Sequence, residues 1–462
     1  MALKNPLYMQ MPFSVDKDGF AYISESRMEN YSSKGGINFG DFFVCDATMR
    51  IVDYTFSENV QFSVMDYKTD AQLAELKEKY DSIIIRGSTY LWEGYDLGGA
   101  ADFIEYMDKP VLLFGLGAQA PYFKNLKLEP GTVRFLKAVA ERCHSIGTRG
   151  DYTAEQIHRY GVSNTTTLGC PTFMRKHDTQ GISKRRSLEK VGVTLTRQAG
   201  GIYANNEEHI RHIHRELLRN AATIARKSYL ISQGEKQEYA IANGEPTAAS
   251  AVDEILSHLG FNPSDKAYKK VRNLYLKRTV AFSHMEEWEE FSRTLDFIIG
   301  FRLHGNIVAL HQGVPAVFIT CDSRIQEIVD FWRLPYVKSS QAMTVDIPAL
   351  NEAVDFSHFR ETHAIIRNRW IKFFNENGAD HHLGPYESKL ARKAISAPDQ
   401  NLSHLCVPGG TTVLQEKLEV LLRDAQVRID ENTQLRVKLK RQREEFAKTL
   451  KDASHAEYES NT

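Results

Sequence analysis

Long apolar runs are missing from this sequence. No stretch reaches the roughly 18 residues of a bilayer-spanning helix. The first thirty, MALKNPLYMQMPFSVDKDGFAYISESRMEN, hold no apolar segment of the roughly 7–15 residues a secretory signal carries. The expectation is a cytoplasmic protein, not an integral membrane one. Cysteine is scarce: Cys45, Cys143, Cys170, Cys321 and Cys406 are odd in number and never spaced CxxC. That argues against a disulfide framework and a structural zinc site, and suits a reducing compartment. An excess of one charge sign is also lacking, with 58 Lys plus Arg against 59 Asp plus Glu. No global field therefore draws the chain to nucleic acid or an anionic membrane, and any anion site must be local. No internal repeat of roughly 20–50 residues is visible.

What is present is length and rhythm. The 462 residues exceed one ordinary domain, and 42% apolar with 25% charged residues is a globular composition. From about Asn38 to Phe173 short apolar runs alternate with helical patterns, the signature of βαβ units and a parallel sheet. Ser82–Arg86 (SIIIR), Val111–Gly115 (VLLFG) and His144–Thr148 read as strands, with helices at Gln72–Lys79 and at Tyr152–Tyr160, the latter stopped by Gly161. The polar, basic stretch Arg175–Lys190 reads as a linker. The rhythm restarts with strands at Val191–Leu195, Tyr229–Ser232, Phe297–Gly300 and Ala316–Thr320. The prediction is an α/β fold: an N-terminal extension over 1–34, lobes over 35–180 and 191–345, and helices and loop over 350–400 packing back on the core. The last include a helix over 352–376 stopped at Asn377-Gly378. Over 411–451 a long charged helix carries Leu418, Ala425, Asn432, Leu439 and Phe446 seven residues apart. It reads as a coiled coil forming a homo-oligomer, or as a solvated single helix.

Candidate chemistry sits at strand ends. Gly35–Asp41 (GGINFGD) holds Asn38, Gly40 and Asp41 in either a plain turn or a loop presenting N–H groups to a ligand. Gly115–Gln119 (GLGAQ) puts Gly117 and Gln119 at the carboxyl end of a parallel strand, as a close-packed corner, a cleft wall near substrate or a nucleotide fingerprint, although the spacing is not GxGxxG. In Thr148–Thr153 (TRGDYT), Arg149 precedes a helix N-terminus, where a guanidinium suits a carboxylate or phosphate; the other reading pairs it with Asp151. The strongest cluster is Gly300–Gly305 (GFRLHG). On extended backbone Arg302 and His304, two apart, leave on one face while Leu303 enters the core. In Cys321–Glu327 (CDSRIQE), Arg324 and Glu327 serve either as helix-end ion pairs or as acceptor contacts. Arg197 and Ser232–Glu235 are further polar strand ends.

Taken in order, Asn38-x-Gly40-Asp41, GLGAQ, TRGDYT, Gly169–Thr172 (GCPT) and FRLHGNIVALHQGVP over 301–315 resemble the polysaccharide pyruvyl transferase family across roughly residues 35–340. The most specific stretch is R-L-H-G-x-I-x-A-L-x-x-G-V-P, from Arg302 to Pro315. The resemblance implies a GT-B-like fold of two Rossmann-like domains facing a cleft. It implies an enzyme that moves the enolpyruvyl unit of phosphoenolpyruvate onto a sugar as a ketal. By motif position Arg149, Arg302, Leu303 and His304 surround the donor: the arginines hold the anion, and His304, at an ordinary imidazole pKa of about 6.5, is the proton donor. Asn38, Gly40, Asp41, Gly117, Gln119, Arg324 and Glu327 are the substrate-binding candidates, with Asp41 and Glu327 the candidate bases. The expected partners are phosphoenolpyruvate and a sugar or oligosaccharide acceptor, free or lipid-linked; no cofactor and no metal is expected. Two positions depart from the family pattern: Arg86-Gly87-Ser88 stands where many members have three glycines, and Cys170-Pro171 where many have Asp-Pro. Outside pyruvyl transfer, the alternatives are a nucleotide-sugar glycosyltransferase of the same architecture and a non-catalytic scaffold.

Overall fold

The structure is a computed structural model that describes residues 3–11, 14–15, 21–22, 38–175, 181–183, 187–196, 201, 203–204, 206–224, 227–234, 236–388, 395 and 398–407. The heptad-patterned segment 411–451, Arg197 and Glu235 lie outside the described residues. Contacts separate a unit over Met1–Cys406 from one over Val407–Thr462, and the fold below is that of the first. No helix among the described residues is long and apolar enough to cross a membrane. All five cysteines are free thiols.

The N-terminal lobe is built on four parallel strands, β1 (Pro6–Met9), β2 (Asn59–Val60), β3 (Ser82–Arg86) and β5 (Val111–Phe114), in the order β2-β1-β3-β5. Side chains alternate across this sheet as a period of two requires. Leu7, Met9, Ile83, Ile85 and Leu113 enter one core. Tyr8, Ile84, Leu112 and Phe114 enter another that also contains the C-terminal lobe's interior. One face of the sheet is thus joined to the second lobe by apolar packing. The sequence reading put residues 1–34 outside the lobe, and β1 corrects this: Leu7–Met9 are the centre of the sheet, in register with Ile83–Ile85. A four-residue run is too short to give a pattern, and its proline stands at the first strand position, where a missing N–H is tolerated. At the carboxyl end of this sheet, β4 (Thr89–Leu91) pairs with β6 (Gly117–Ala118), and β7 (Ile146–Thr148) with β8 (Thr165–Thr167).

The second lobe carries six parallel strands, β9 (Lys190–Thr194), β10 (Lys227–Ile231), β11 (Thr279–Val280), β12 (Phe297–Gly300), β13 (Ala316–Thr320) and β14 (Tyr336–Lys338). Their order is β11-β10-β9-β12-β13-β14. This is the doubly wound Rossmann order, whose direction of winding reverses between β9 and β12 and opens a crevice at their carboxyl ends.

Five helices matter to the site: α1 (Phe39–Ile51), α2 (Asp151–His158), α3 (Leu303–His311), α4 (Ser323–Trp332) and α5 (Ser357–Glu376). The last returns to the first lobe, where Trp370 Nε1 donates to the Leu168 carbonyl at 2.7 Å and Trp370 and Phe374 meet Phe114 edge-on. A single helix over 352–376 is corrected: the chain breaks after Ala353, and the Asp355 carboxylate accepts from the Ser357 N–H at 2.8 Å to start α5 anew. An Asp side chain bonding the backbone two residues on favours a turn over helix.

Candidate active site

The crevice at the β9/β12 switch faces the carboxyl end of the first lobe across a cleft of about 630 Å³, within the range of small-molecule sites. The first lobe contributes Asn38, Asp41, Ser88, Thr89, Trp92, Gln119 and Arg149. The second contributes Thr196, Tyr203, Gln233, Arg302, His304, Asp322 and Arg324.

Arg149 follows β7 directly and is 2% exposed. Its Nε donates to the Gly115 carbonyl at 2.8 Å and its Nη1 to Thr89 Oγ1 at 3.2 Å, while buried Nη2 has no hydrogen-bond partner. The expected alternative, a pair with Asp151, does not form; Asp151 accepts from Thr167 Oγ1 at 2.9 Å. Gly117 does not border the cleft but makes room for the guanidinium arm: a Cβ there would lie 2.9 Å from Arg149 Cδ. A buried cation with an unused donor is costly unless something anionic completes it.

Asn38 caps α1 and accepts from the Gly40 N–H at 2.9 Å. Asp41, in the first turn, pairs with Arg86 Nη1 at 2.8 Å, and Ser88 Oγ lies 3.3 Å from the same oxygen. Burial alone would raise the Asp41 pKa. Arg86, with smaller contributions from His304 and Arg149, outweighs it and holds the carboxyl below its usual value, which makes Asp41 a weak base. Gly40 is required by contact, since a Cβ there would lie 2.3 Å from His304 Nδ1.

From the second lobe, β12 ends at Gly300 and α3 begins at Leu303. The extended backbone expected through His304 therefore reaches only to Arg302, the helix N-cap. Arg302 and His304 still border the same cleft, and Leu303 is 4% exposed in the core rather than on the cleft wall. Arg302 Nε donates to the Leu195 carbonyl at 3.0 Å. His304 is 7% exposed, with Nε2 3.7 Å from Cys170 Sγ. Its pKa is not the ordinary imidazole value. Burial first, then the positive charges of Arg149, Arg324 and Arg86, lower it to about 3, with Asp41 the opposing influence. The imidazole is neutral at physiological pH. Gln233 Oε1 accepts from the Gly305 N–H at 2.9 Å and the Gln233 carbonyl from the Phe39 N–H at 3.0 Å, so this loop ties α1 to α3.

The β13–α4 corner clasps the lobes together. Asp322 caps α4 through the Ile325 N–H at 2.8 Å, accepts from Gln119 Nε2 at 3.0 Å, and lies 3.4 Å from Arg324 Nη2. Glu327 does not border the cleft. Its carboxylate accepts from the Thr153 N–H at 2.6 Å and Thr153 Oγ1 at 2.9 Å, at the start of α2. Burial raises its pKa to about 7 despite those bonds and Arg149. Among the cleft residues, Ser88, Thr89, Trp92, Thr196 and Tyr203 are not site candidates in the sequence, and neither is Arg86, which does not line the cleft but pairs with Asp41 there. Arg86 carries a signal, a charge closing the buried run SIIIR, and Ser88 stands only in the departure from the family's glycines; the other four carry none.

The polysaccharide pyruvyl transferase family description matches residues 38–323. No curated protein matches. Among solved structures, Staphylococcus aureus MnaA with UDP aligns at 10% identity over 83% of this chain and 93% of its own, with a TM-score of 0.34. The Methanocaldococcus jannaschii UDP-GlcNAc 2-epimerase with UDP-GlcNAc and UDP aligns at 11% identity over 62% and 74%, with a TM-score of 0.32. The Neisseria meningitidis UDP-GlcNAc 2-epimerase with UDP-GlcNAc aligns at 11% identity over 69% and 86%, with a TM-score of 0.33.

Proposed function

Because the chain belongs to the polysaccharide pyruvyl transferase family, we propose that it transfers the three carbons of phosphoenolpyruvate to two hydroxyls of one acceptor sugar, as a pyruvate ketal. The observation that carries this is Arg149: a buried guanidinium with an unused Nη2 bordering a cleft whose other wall holds Arg302 and Arg324. A donor with both a carboxylate and a phosphate uses cations from both walls, and arginine forks suit both groups.

The neutral state of His304 shapes the chemistry. As the first acceptor oxygen bonds to C2, the imidazole takes that hydroxyl's proton and delivers it to C3, turning methylene into methyl. The bond from C2 to the phosphate oxygen then breaks, the second hydroxyl bonds to C2, and its proton leaves with the phosphate. One residue thus serves as base and then acid, and no protonated imidazole is needed in the resting site. The bound anion aids this by offsetting the arginines that depress the imidazole pKa. Arg149 and Arg302 position C2 and balance the departing phosphate.

The test is incubation with phosphoenolpyruvate and candidate sugars, read by mass spectrometry for the gain of one pyruvyl ketal and by phosphate release. Ligand-induced thermal shifts separate the alternatives: phosphoenolpyruvate stabilises the protein, and UDP and GDP do not. Stabilisation by a nucleoside diphosphate with none by phosphoenolpyruvate would overturn the proposal in favour of a nucleotide-sugar enzyme.

A further inference from the structure

All four tryptophans of the chain are described, and three are buried: Trp288 is 1% exposed, and Trp332 and Trp370 are 0% exposed. Trp92 is partly exposed and lines the cleft. Full burial of an indole is among the largest apolar gains a side chain can make, so one held at a cleft wall forgoes part of it. It is not held loosely. Its ring stacks on Tyr95 at a centroid distance of 5.0 Å and an interplanar angle of 10°. The loop around it is pinned. Glu93 accepts from Lys124 Nζ at 2.6 Å and from the Lys127 N–H at 3.1 Å, and Thr132 Oγ1 donates to the Tyr95 carbonyl at 2.5 Å. The result is a preorganised aromatic surface.

Its surroundings specify the ligand. Ser88, Thr89 and Gln119 border the cleft on the same lobe, all neutral hydrogen-bonding groups. Phe301 and Ile325 also border the cleft, but each is only 1% exposed. Of the aromatic and aliphatic residues that line the cleft, Trp92 and Tyr203 of the other lobe are therefore the two that are not buried. Apolar faces edged by neutral polar groups match a pyranose ring, which has C–H groups on its faces and hydroxyls around its rim. A small trianionic donor leaves such a surface unused.

We infer that Trp92, backed by Tyr95, is the stacking platform for the pyranose ring of the acceptor, with Ser88, Thr89 and Gln119 facing its hydroxyls. The word acceptor rests on the pyruvyl-transfer reading; the sugar platform itself does not.

Because Trp92 is the one tryptophan that is not buried, quenching of the intact protein's fluorescence by neutral acrylamide reports on it. Trp92→Phe should remove the quenchable fraction. Methyl β-D-galactopyranoside, methyl β-D-glucopyranoside and methyl α-D-mannopyranoside serve as probes, each with phosphoenolpyruvate affinity measured in parallel by calorimetry. At least one glycoside is expected to shield Trp92. Trp92→Ala should weaken that glycoside by roughly ten-fold and Trp92→Phe by only a few-fold, both binding phosphoenolpyruvate like the parent. If the parent binds phosphoenolpyruvate but no glycoside shields the indole, or if Trp92→Ala binds the glycoside unchanged, the platform is refuted and the donor reading stands. If a glycoside shields the indole but phosphoenolpyruvate does not bind, the donor reading fails and the platform stands.

Discussion

Replacing Arg149 with methionine should improve the fold and ruin the site. The guanidinium is 2% exposed and makes two hydrogen bonds, to the Gly115 carbonyl and Thr89 Oγ1, while Nη2 makes none. Losing the two bonds costs about 0.5–1.5 kcal/mol each. Removing a buried charge without an ion-pair partner recovers several kcal/mol of desolvation. Methionine keeps much of the arm that packs beside Gly117, so the apo protein should gain about 1–2 kcal/mol, an increase in Tm of a few degrees at most. Binding goes the other way. A buried charge pair that loses one partner costs about 2–5 kcal/mol, so phosphoenolpyruvate affinity should fall by roughly thirty- to several thousand-fold. Differential scanning calorimetry of the apo protein and titration calorimetry with phosphoenolpyruvate measure the two halves separately. A variant that binds the donor within two-fold of the parent, or whose apo form melts well below it, would show that Arg149 is a structural strut and that the anion sits elsewhere.

Other expectations follow from the same geometry. Arg302→Ala should weaken donor binding, while His304→Gln should leave it largely intact and slow turnover by roughly 10²–10⁴; parental turnover in His304→Gln would remove the imidazole from the reaction. Gly40→Ala places a methyl 2.3 Å from His304 Nδ1, so it should cost about 1–3 kcal/mol of stability and displace the imidazole, read as a drop in Tm with a larger loss of turnover than of donor affinity. His304 and His214 both have folded pKa values lowered from 6.5 to about 3, burial being the first cause in each. Their stabilising contribution is therefore full above about pH 6.5 and is lost, by up to about 1.4 kcal/mol per pH unit for each, as pH falls toward the folded values. Denaturant unfolding between those limits should show His214→Leu with a shallower acid slope than the parent, and equal slopes would refute a neutral His214. Glu327 has the opposite sign: its pKa is raised from 4.5 to about 7 by burial, so its contribution is full below about pH 4.5 and is lost as pH rises through 7. Glu327→Gln should flatten the stability profile over that window, measured the same way.

Much of this molecule could be read from its residues because the signals were local. SIIIR, VLLFG, FIIG and AVFIT are buried on both faces, and such runs show as strands without knowledge of their neighbours. The triplet Arg302-Leu303-His304 and the isolated Arg149 were selected by charge at strand ends, and both arginines border the cleft. Three matters needed the tertiary structure. The first is the place of Leu7–Met9 in the first sheet: pairing with Ile83–Ile85 is a long-range contact that no short window encodes. The second is the protonation of His304, set not by its sequence neighbours but by burial and by arginines 149, 324 and 86, which come from three different strand ends. The third is the contrast between carboxylates. Asp41 and Glu327 looked alike as candidate bases, yet Arg86 holds one ionised, while burial on the far side of the lobe contact holds the other near neutrality. Residue types and their order state which groups are available. Which charges face one another, and in how dry a place, depends on distances that only the packed chain creates, and those distances determine the chemistry.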